Sequence, residues 1–223
     1  MSGKTKRNPK SEISSLSKYY LIVYNLVQLF GWSKIVLKAL DYSITTPQPF
    51  SYRALWDCCA HNVMLCQIFQ TMEILHASIG IVPSSPAQVA TQTFGRMIAL
   101  FGILYPIEES RDTLGVLLTL IAWCSIELVR YPYYAINLYG LVPFGLTWLR
   151  YTAFIPLYPM GLIGELMIVY RATPTILNKL NLIQTELIYY AFTISVTLFY
   201  LNFFTKLYRL MFRQRRKTLQ IHK

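Results

Sequence analysis

The sequence predicts an all-α, polytopic transmembrane helical bundle of about six spans, with both termini on the cytosolic side. Three observations carry this. Of 223 residues, 54% are hydrophobic and only 14% are charged, where a soluble domain carries about 25% charged residues. The charge is also pushed outward. Residues 1–18 hold Lys4, Lys6, Arg7, Lys10 and Lys18, and residues 206–223 hold Lys206, Arg209, Arg213, Arg215, Arg216, Lys217 and Lys223, together more than half of the 21 basic residues. Between these ends the chain divides into apolar runs near the ~20 residues that a membrane span needs.

The runs can be taken in order. The first, Tyr19 to Leu40, has Lys34 and Lys38 late enough to reach the interface. A polar stretch, Asp41 to Arg53, separates it from a second run, Ala54 to about Val82, which stops at Pro83-Ser84-Ser85-Pro86. The third is Val89 to Pro106. An acidic connection, Glu108 to Asp112, leads to the fourth, Leu114 to Leu138. The last, Leu187 to Tyr208, ends in the basic tail. The fifth is the awkward one. Leu141 to Tyr170 is nearly all apolar, and as one straight helix it would extend about 45 Å, longer than a hydrocarbon core of about 30 Å but too short for two spans. It holds Pro143, Pro156, Pro159, Gly145, Gly161 and Gly164. The expectation is one long span bent or broken near Pro156 to Gly164, since proline removes a helical donor and clashes with the preceding turn. Tails at 1–18 and 209–223 then flank one membrane domain, 19–208.

Several function classes fall away. A net charge of +11 suggests nucleic acid only when it forms a folded basic face; basic ends on apolar spans follow the positive-inside rule and attract anionic lipid. No nucleic-acid partner is expected. Residues 1–18 lack the apolar region of a signal peptide. Cys58, Cys59, Cys66 and Cys124 sit in or beside apolar runs as small hydrophobes. No metal is expected, because His61 and His76 are fifteen apart with no clustered ligands. No nucleotide cofactor is implied, as there is no glycine-rich phosphate motif.

Ionisable residues inside apolar spans carry a functional hypothesis. They are Asp57, His61, Glu73, His76, Glu127, Arg130, Arg150, Glu165 and Glu186. Structural pairing is the alternative for each, and Glu127 and Arg130, three apart, can pair within one helix. The richest segment is Trp148 to Glu165. Tyr158 and Glu165 share a helical face about 10.5 Å apart along the axis. Such a pair suits removal of a proton at one carbon and protonation of a hydroxyl leaving group at the next. Equally, Tyr158 could sit in an interfacial aromatic belt and Glu165 could pair with Arg150 or Arg171.

Two segments carry a resemblance: Trp123-Cys-Ser-Ile-Glu-Leu-Val-Arg-Tyr-Pro-Tyr-Tyr134 and Leu149-Arg-Tyr-Thr-Ala-Phe-Ile-Pro-Leu-Tyr-Pro-Met-Gly-Leu-Ile-Gly-Glu165. With Glu73-Ile-Leu-His-Ala-Ser-Ile-Gly-Ile-Val-Pro-Ser-Ser85, they resemble the very-long-chain 3-hydroxyacyl-CoA dehydratase family, once named protein-tyrosine-phosphatase-like. The resemblance implies an endoplasmic-reticulum membrane enzyme of fatty-acid elongation that converts a (3R)-3-hydroxyacyl-CoA to a trans-2-enoyl-CoA without a cofactor. It would work beside an elongase, a 3-ketoacyl-CoA reductase and an enoyl-CoA reductase. The family's catalytic tyrosine and glutamate fall on Tyr158 and Glu165. Arg130, Arg150, Tyr151 and Glu127 are supporting candidates, for the carbonyl oxygen, the CoA phosphates or structure. The older name fails on the residues. A tyrosine phosphatase needs a cysteine directly after its histidine and an arginine six further on; here Ala77 follows His76 and Pro83 stands where the arginine belongs. A non-catalytic scaffold for elongation enzymes and a small-solute transporter are the alternatives; the second would be marked by inverted repeats, and none is found.

Overall fold

The computed structural model describes residues 14–46, 49–180 and 186–221. Among them there are helices and turns but no strand. The helices are α1 (Ser15–Thr45), α2 (Tyr52–Gln70), α3 (Met72–Ser78), α4 (Pro86–Met97), α5 (Leu114–Asn137), α6 (Phe144–Thr152), α7 (Phe154–Lys179) and α8 (Glu186–Ile221). α4 runs on into π-helical turns at Ile98–Leu104, and a 3₁₀ turn, Glu108–Arg111, precedes α5. Most of the expected N-terminal tail, Lys223 and the side chain of Glu186 lie outside the described residues.

Helix starts follow capping chemistry. Ser14, Ser51 and Thr113 each accept a hydrogen bond from a backbone N–H of the first turn, which serves donors with no intrahelical partner. Pro86 opens α4 at a position where a missing N–H costs nothing.

Four helical stretches are long and apolar enough to cross a membrane: Ser15–Thr45, Leu114–Asn137, Phe144–Lys179 and Leu187–Gln220. The second and third expected crossings are helical but divided. At Thr71, whose hydroxyl donates to the Ile68 carbonyl at 2.7 Å, α2 gives way to α3, an interaction that bends helices. The third changes pitch where α4 meets its π turns.

α5 is the central helix, packed on α1, α2, α6 and α7. Trp32, Ile35, Leu55, Trp56, Cys59, Val63, Leu100, Leu120 and Tyr131 build one buried core between them. The outward faces are apolar too. Val23, Val27 and Phe30 of α1, and Leu187, Ile194, Leu198 and Phe199 of α8, are exposed. Buried charge inside and apolar surface outside is the distribution of a protein whose solvent is hydrocarbon.

The fifth run breaks earlier than the sequence suggested. The interruption is at Ala153, between α6 and α7, not within Pro156 to Gly164, and the helix then continues to Lys179 rather than ending near Tyr170. Pro156 accounts for this. Its ring clashes with the carbonyl four residues back, at Thr152, and α6 ends at that residue. Gly161 and Gly164 do not bend the helix; they let it touch α5. A Cβ on Gly164 would lie 2.5 Å from the Thr119 hydroxyl oxygen and 2.8 Å from the Gly115 carbonyl, and one on Gly161 would lie 3.2 Å from the Ala122 Cβ. Small residues at such positions let membrane helices approach closely.

One end of the bundle gathers the start of α1, the end of α5, α6 and the end of α8. Lys18 Nζ sits 4.3 Å over the Tyr139 ring, Arg150 donates to the Tyr134 hydroxyl at 3.2 Å, and Arg215 Nε donates to Thr152 Oγ1 at 3.3 Å. The opposite end is tied by Arg53 to Glu108 at 3.5 Å and Arg111 to Asp57 at 3.4 Å. Residues 209–221 of the expected C-terminal tail are a direct continuation of α8.

Candidate active site

Glu165 follows the two α7 glycines, and the close α5–α7 contact brings it against Trp123. The indole N–H donates to Glu165 Oε1 at 3.2 Å. Trp123 is itself buried, with the guanidinium of Arg96 5.5 Å from its ring centroid. Arg96, Tyr158 and Tyr200 all lie close enough to interact electrostatically with Glu165. Four helical segments, α4, α5, α7 and α8, thus converge on this carboxylate.

Tyr158 is held from the α8 side. Its ring stacks on Phe204 with centroids 5.1 Å apart and a 20° interplanar angle, and lies nearly parallel to Tyr208 at 6.0 Å. Tyr208 has a second role. Pro159 cannot donate to the carbonyl of Ile155, four residues earlier, and the Tyr208 hydroxyl donates to that carbonyl at 3.0 Å. A defect in α7 therefore anchors α8 beside Tyr158. Between Phe154 and Lys179 the helix is continuous, so Tyr158 and Glu165 stay two turns apart on one face, Tyr158 against α8 and Glu165 bonded to α5.

Towards the other end of α7 is an open cavity of about 590 Å³, lined by Ile163, Leu166, Met167, Val169, Tyr170 and Arg171 of α7, Thr193 and Thr197 of α8, and Asp112 and Thr113 before α5.

The supporting candidates fall into two groups. Glu127 and Arg130 belong to a largely buried charge network, with Glu127 at its centre: Arg130 Nε donates to Glu127 at 2.6 Å, and its two terminal nitrogens donate to the two oxygens of Glu73, each at 2.9 Å. Arg96 pairs with the other oxygen of Glu127. The Tyr131 and Tyr24 hydroxyls donate to Glu73 Oε1 at 2.9 and 3.3 Å. Two carboxylates and two guanidiniums alternate, so each charge has an opposite partner, as buried ions require. Arg150 and Tyr151 belong to an aromatic group with Tyr133 and Tyr134, which meets the network where Arg130 lies 5.9 Å from the Tyr134 ring centroid. The alternative partners for Glu165 are not used: its hydrogen bond is to Trp123, and Arg150 bonds Tyr134.

Arg96, Trp123, Tyr200, Phe204 and Tyr208 were not singled out from the sequence. Arg96 could have been, since it is an ionisable residue inside an apolar run and meets the rule that selected the others. The four aromatics carried no such signal.

His76, on which the phosphatase comparison turned, is buried and bonds the Tyr20 hydroxyl at 2.8 Å. No group of three or more His, Cys, Asp or Glu side chains among the described residues is placed to hold a metal ion.

The fold and this site define an all-helical membrane protein with a carboxylate and a tyrosine on one face of a helix. A family model described as protein tyrosine phosphatase-like protein, PTPLA, matches residues 67–221. The chain is 34% identical over 211 residues to the very-long-chain (3R)-3-hydroxyacyl-CoA dehydratase 2 of Homo sapiens, covering 92% of this chain and 82% of that protein. It is 32% identical over 211 residues to the very-long-chain (3R)-3-hydroxyacyl-CoA dehydratase hpo-8 of Caenorhabditis elegans, covering 90% and 94%. With dehydratase 1 of Canis lupus familiaris the identity is 29% over 226 residues, covering 97% and 90%. No solved structure matches. This chain belongs to the PTPLA family.

Proposed function

We propose that this protein dehydrates very-long-chain (3R)-3-hydroxyacyl-CoA to trans-2-enoyl-CoA, with Glu165 and Tyr158 as its acid–base pair. Membership of a family whose relatives bear that enzyme name supports the reaction. The observation that carries the site assignment is the placement of Tyr158 and Glu165 on one face of an unbroken α7, each fixed from a different neighbour: Glu165 by Trp123 and Tyr158 by Phe204 and Tyr208.

The chemistry asks for such a pair. The proton beside a thioester carbonyl is weakly acidic, and hydroxide leaves poorly unless protonated. Glu165 takes the proton from the α carbon, and the C–H electron pair becomes the new double bond. The bond from the β carbon to its oxygen breaks, and Tyr158 gives its proton to that oxygen, so water departs. Proton return from Glu165 to the tyrosinate resets the pair. No electrons enter or leave, so the reaction calls for no redox cofactor. Arg96, which interacts electrostatically with both Tyr158 and Glu165, is suited to the enolate-like charge that develops on the thioester oxygen. Glu127, Arg130 and Glu73 hold Arg96 and the helices in register; Arg150 and Tyr151 support the mouth of the site. The cavity beyond Ile163 accommodates the acyl chain.

The same reading gives six crossings, with α2–α3 and α4 plus its π turns as the second and third, a membrane domain at 19–208 and flanking tails. The basic character of both ends supports a cytosolic location for them. Tyr158, four residues into α7 and next to the basic end of α8, then lies nearer the cytosol than Glu165, within reach of a CoA thioester. Residence in the endoplasmic reticulum, and work beside an elongase, a 3-ketoacyl-CoA reductase and an enoyl-CoA reductase, follow from the reaction's place in elongation. The test is turnover of a long-chain 3-hydroxyacyl-CoA by the purified protein in detergent. Tyr158→Phe and Glu165→Gln should each abolish enoyl-CoA formation; wild-type turnover in either variant refutes the assignment.

A further inference from the structure

Beyond Tyr208, α8 carries a basic face of its own. Arg209, Arg213 and Arg216 lie at spacings of four and three, which puts them on one helical face, and with Phe212 they line a recess of about 300 Å³. All three are exposed. None has an acidic partner among the described residues, and no acid occurs in α8 after Glu186. Phe212 packs edge-on against Phe154 and Tyr208 at 5.1 and 4.9 Å, so the recess adjoins the aromatic stack that holds Tyr158.

We propose that Arg209, Arg213 and Arg216 bind the phosphate groups of the CoA moiety, its diphosphate and 3′-phosphate, while the thioester lies at Tyr158. This rests on the acyl-CoA reading above and names a subsite for it. Three features carry it. The residues are arginines, whose planar fork matches phosphate oxygens bidentately. They sit at a water-facing end, where a multiply charged nucleotide remains hydrated. And they begin one residue after Tyr208 and extend about 12 Å along the helix from it, so the phosphates are set off from the reacting carbons, as the pantetheine arm requires. The cavity at Ile163 to Val169 lies C-terminal to Tyr158 along α7, away from the arginines.

Anionic lipid head groups offer the same phosphate chemistry, and the experiment separates the two sources. Full-length protein in detergent free of anionic lipid is assayed with a 3-hydroxyacyl-CoA and with the matching 3-hydroxyacyl-pantetheine, which lacks the nucleotide. In Arg209→Gln/Arg213→Gln/Arg216→Gln, the ratio of kcat/KM for the CoA thioester to that for the pantetheine thioester should fall about tenfold or more, the scale of losing a charge-assisted hydrogen bond. The matching triple lysine variant, which keeps the charge and the topology signal, should fall between. A ratio unchanged from wild type overturns the proposal, as does a defect seen only in vesicles containing phosphatidylserine. Direct binding of adenosine 3′,5′-bisphosphate needs no turnover. Binding by wild type that the glutamine variant loses supports the site, and no binding by wild type overturns it. A wild-type chain that binds this nucleotide yet leaves 3-hydroxyacyl-CoA intact refutes the dehydratase reading and leaves the phosphate site standing.

Discussion

The Tyr208 hydroxyl donates at 3.0 Å to the carbonyl of Ile155, the acceptor that Pro159 leaves without its helical partner. Without this bond, a backbone carbonyl between two membrane helices would be unsatisfied, a costly state away from water. Tyr208→Phe keeps the ring that faces Tyr158 and removes only the hydroxyl. It should cost about 1 kcal/mol of stability, read as a small fall in Tm in detergent, and turnover should drop several-fold because Tyr158 loses part of its support. An unchanged Tm together with unchanged turnover would show that α8 does not depend on this bond.

Trp123→Phe tests the other half of the site. The indole N–H is the hydrogen-bond donor to Glu165, and phenylalanine keeps the packing but not the donor. Loss of a hydrogen bond to a charged group predicts a fall in kcat of about tenfold, with the Tm close to wild type. If Tm and kcat fall together, the tryptophan serves packing rather than orientation of the carboxylate.

The charge network makes a sharper stability prediction. Arg130 is the shared partner of Glu73 and Glu127. Arg130→Met leaves the buried carboxylate of Glu127 and the part-buried one of Glu73 with less compensation, at a cost of about 3–5 kcal/mol. Adding Glu73→Gln to that variant should recover part of the loss, because one of the stranded charges goes with it. Thermal unfolding of the single and double variants measures the coupling, and simple additivity would show the ion pair to be inert.

Contact between α5 and α7 predicts intolerance at Gly164. An alanine Cβ would meet the Thr119 hydroxyl at 2.5 Å and the Gly115 carbonyl at 2.8 Å, so the helices must separate. Overpacking of this kind costs about 1–3 kcal/mol. Gly164→Ala should lower Tm and turnover together, since Glu165 moves away from Trp123. Gly145→Ala, whose Cβ would meet nothing within 4 Å, should leave Tm where it is.

Much of this was legible in the sequence because membrane helices write themselves in runs of apolar residues. The Glu127–Arg130 pair was legible from spacing alone. The position of the break in the fifth run was not read correctly, because a proline acts on the carbonyl four residues before it: Pro156 ends the helix at Thr152, upstream of the prolines and glycines that drew attention. The surroundings of Glu165 were hidden for a different reason. Trp123, Arg96 and Tyr200 come from three separate segments, and no spacing along the chain records which helices meet. Only Arg96 was open to discovery, by the rule that a charge in an apolar run needs a reason. Likewise the Tyr208–Ile155 bond joins residues 53 apart, and nothing local foretells it.

No described residue in 187–220 is fully buried, so α8 meets the bundle along a single line, and much of its apolar surface faces lipid. Its two sides therefore live under different rules of substitution. Leu187, Ile194, Leu198 and Phe199 are mostly exposed, where any residue of comparable oiliness serves equally well, and these positions are free to drift. Phe204, Tyr208 and Phe212 each meet a particular ring or carbonyl of α7. Among homologues, α8 should thus carry high variability and strict identity interleaved three or four residues apart, on one helix.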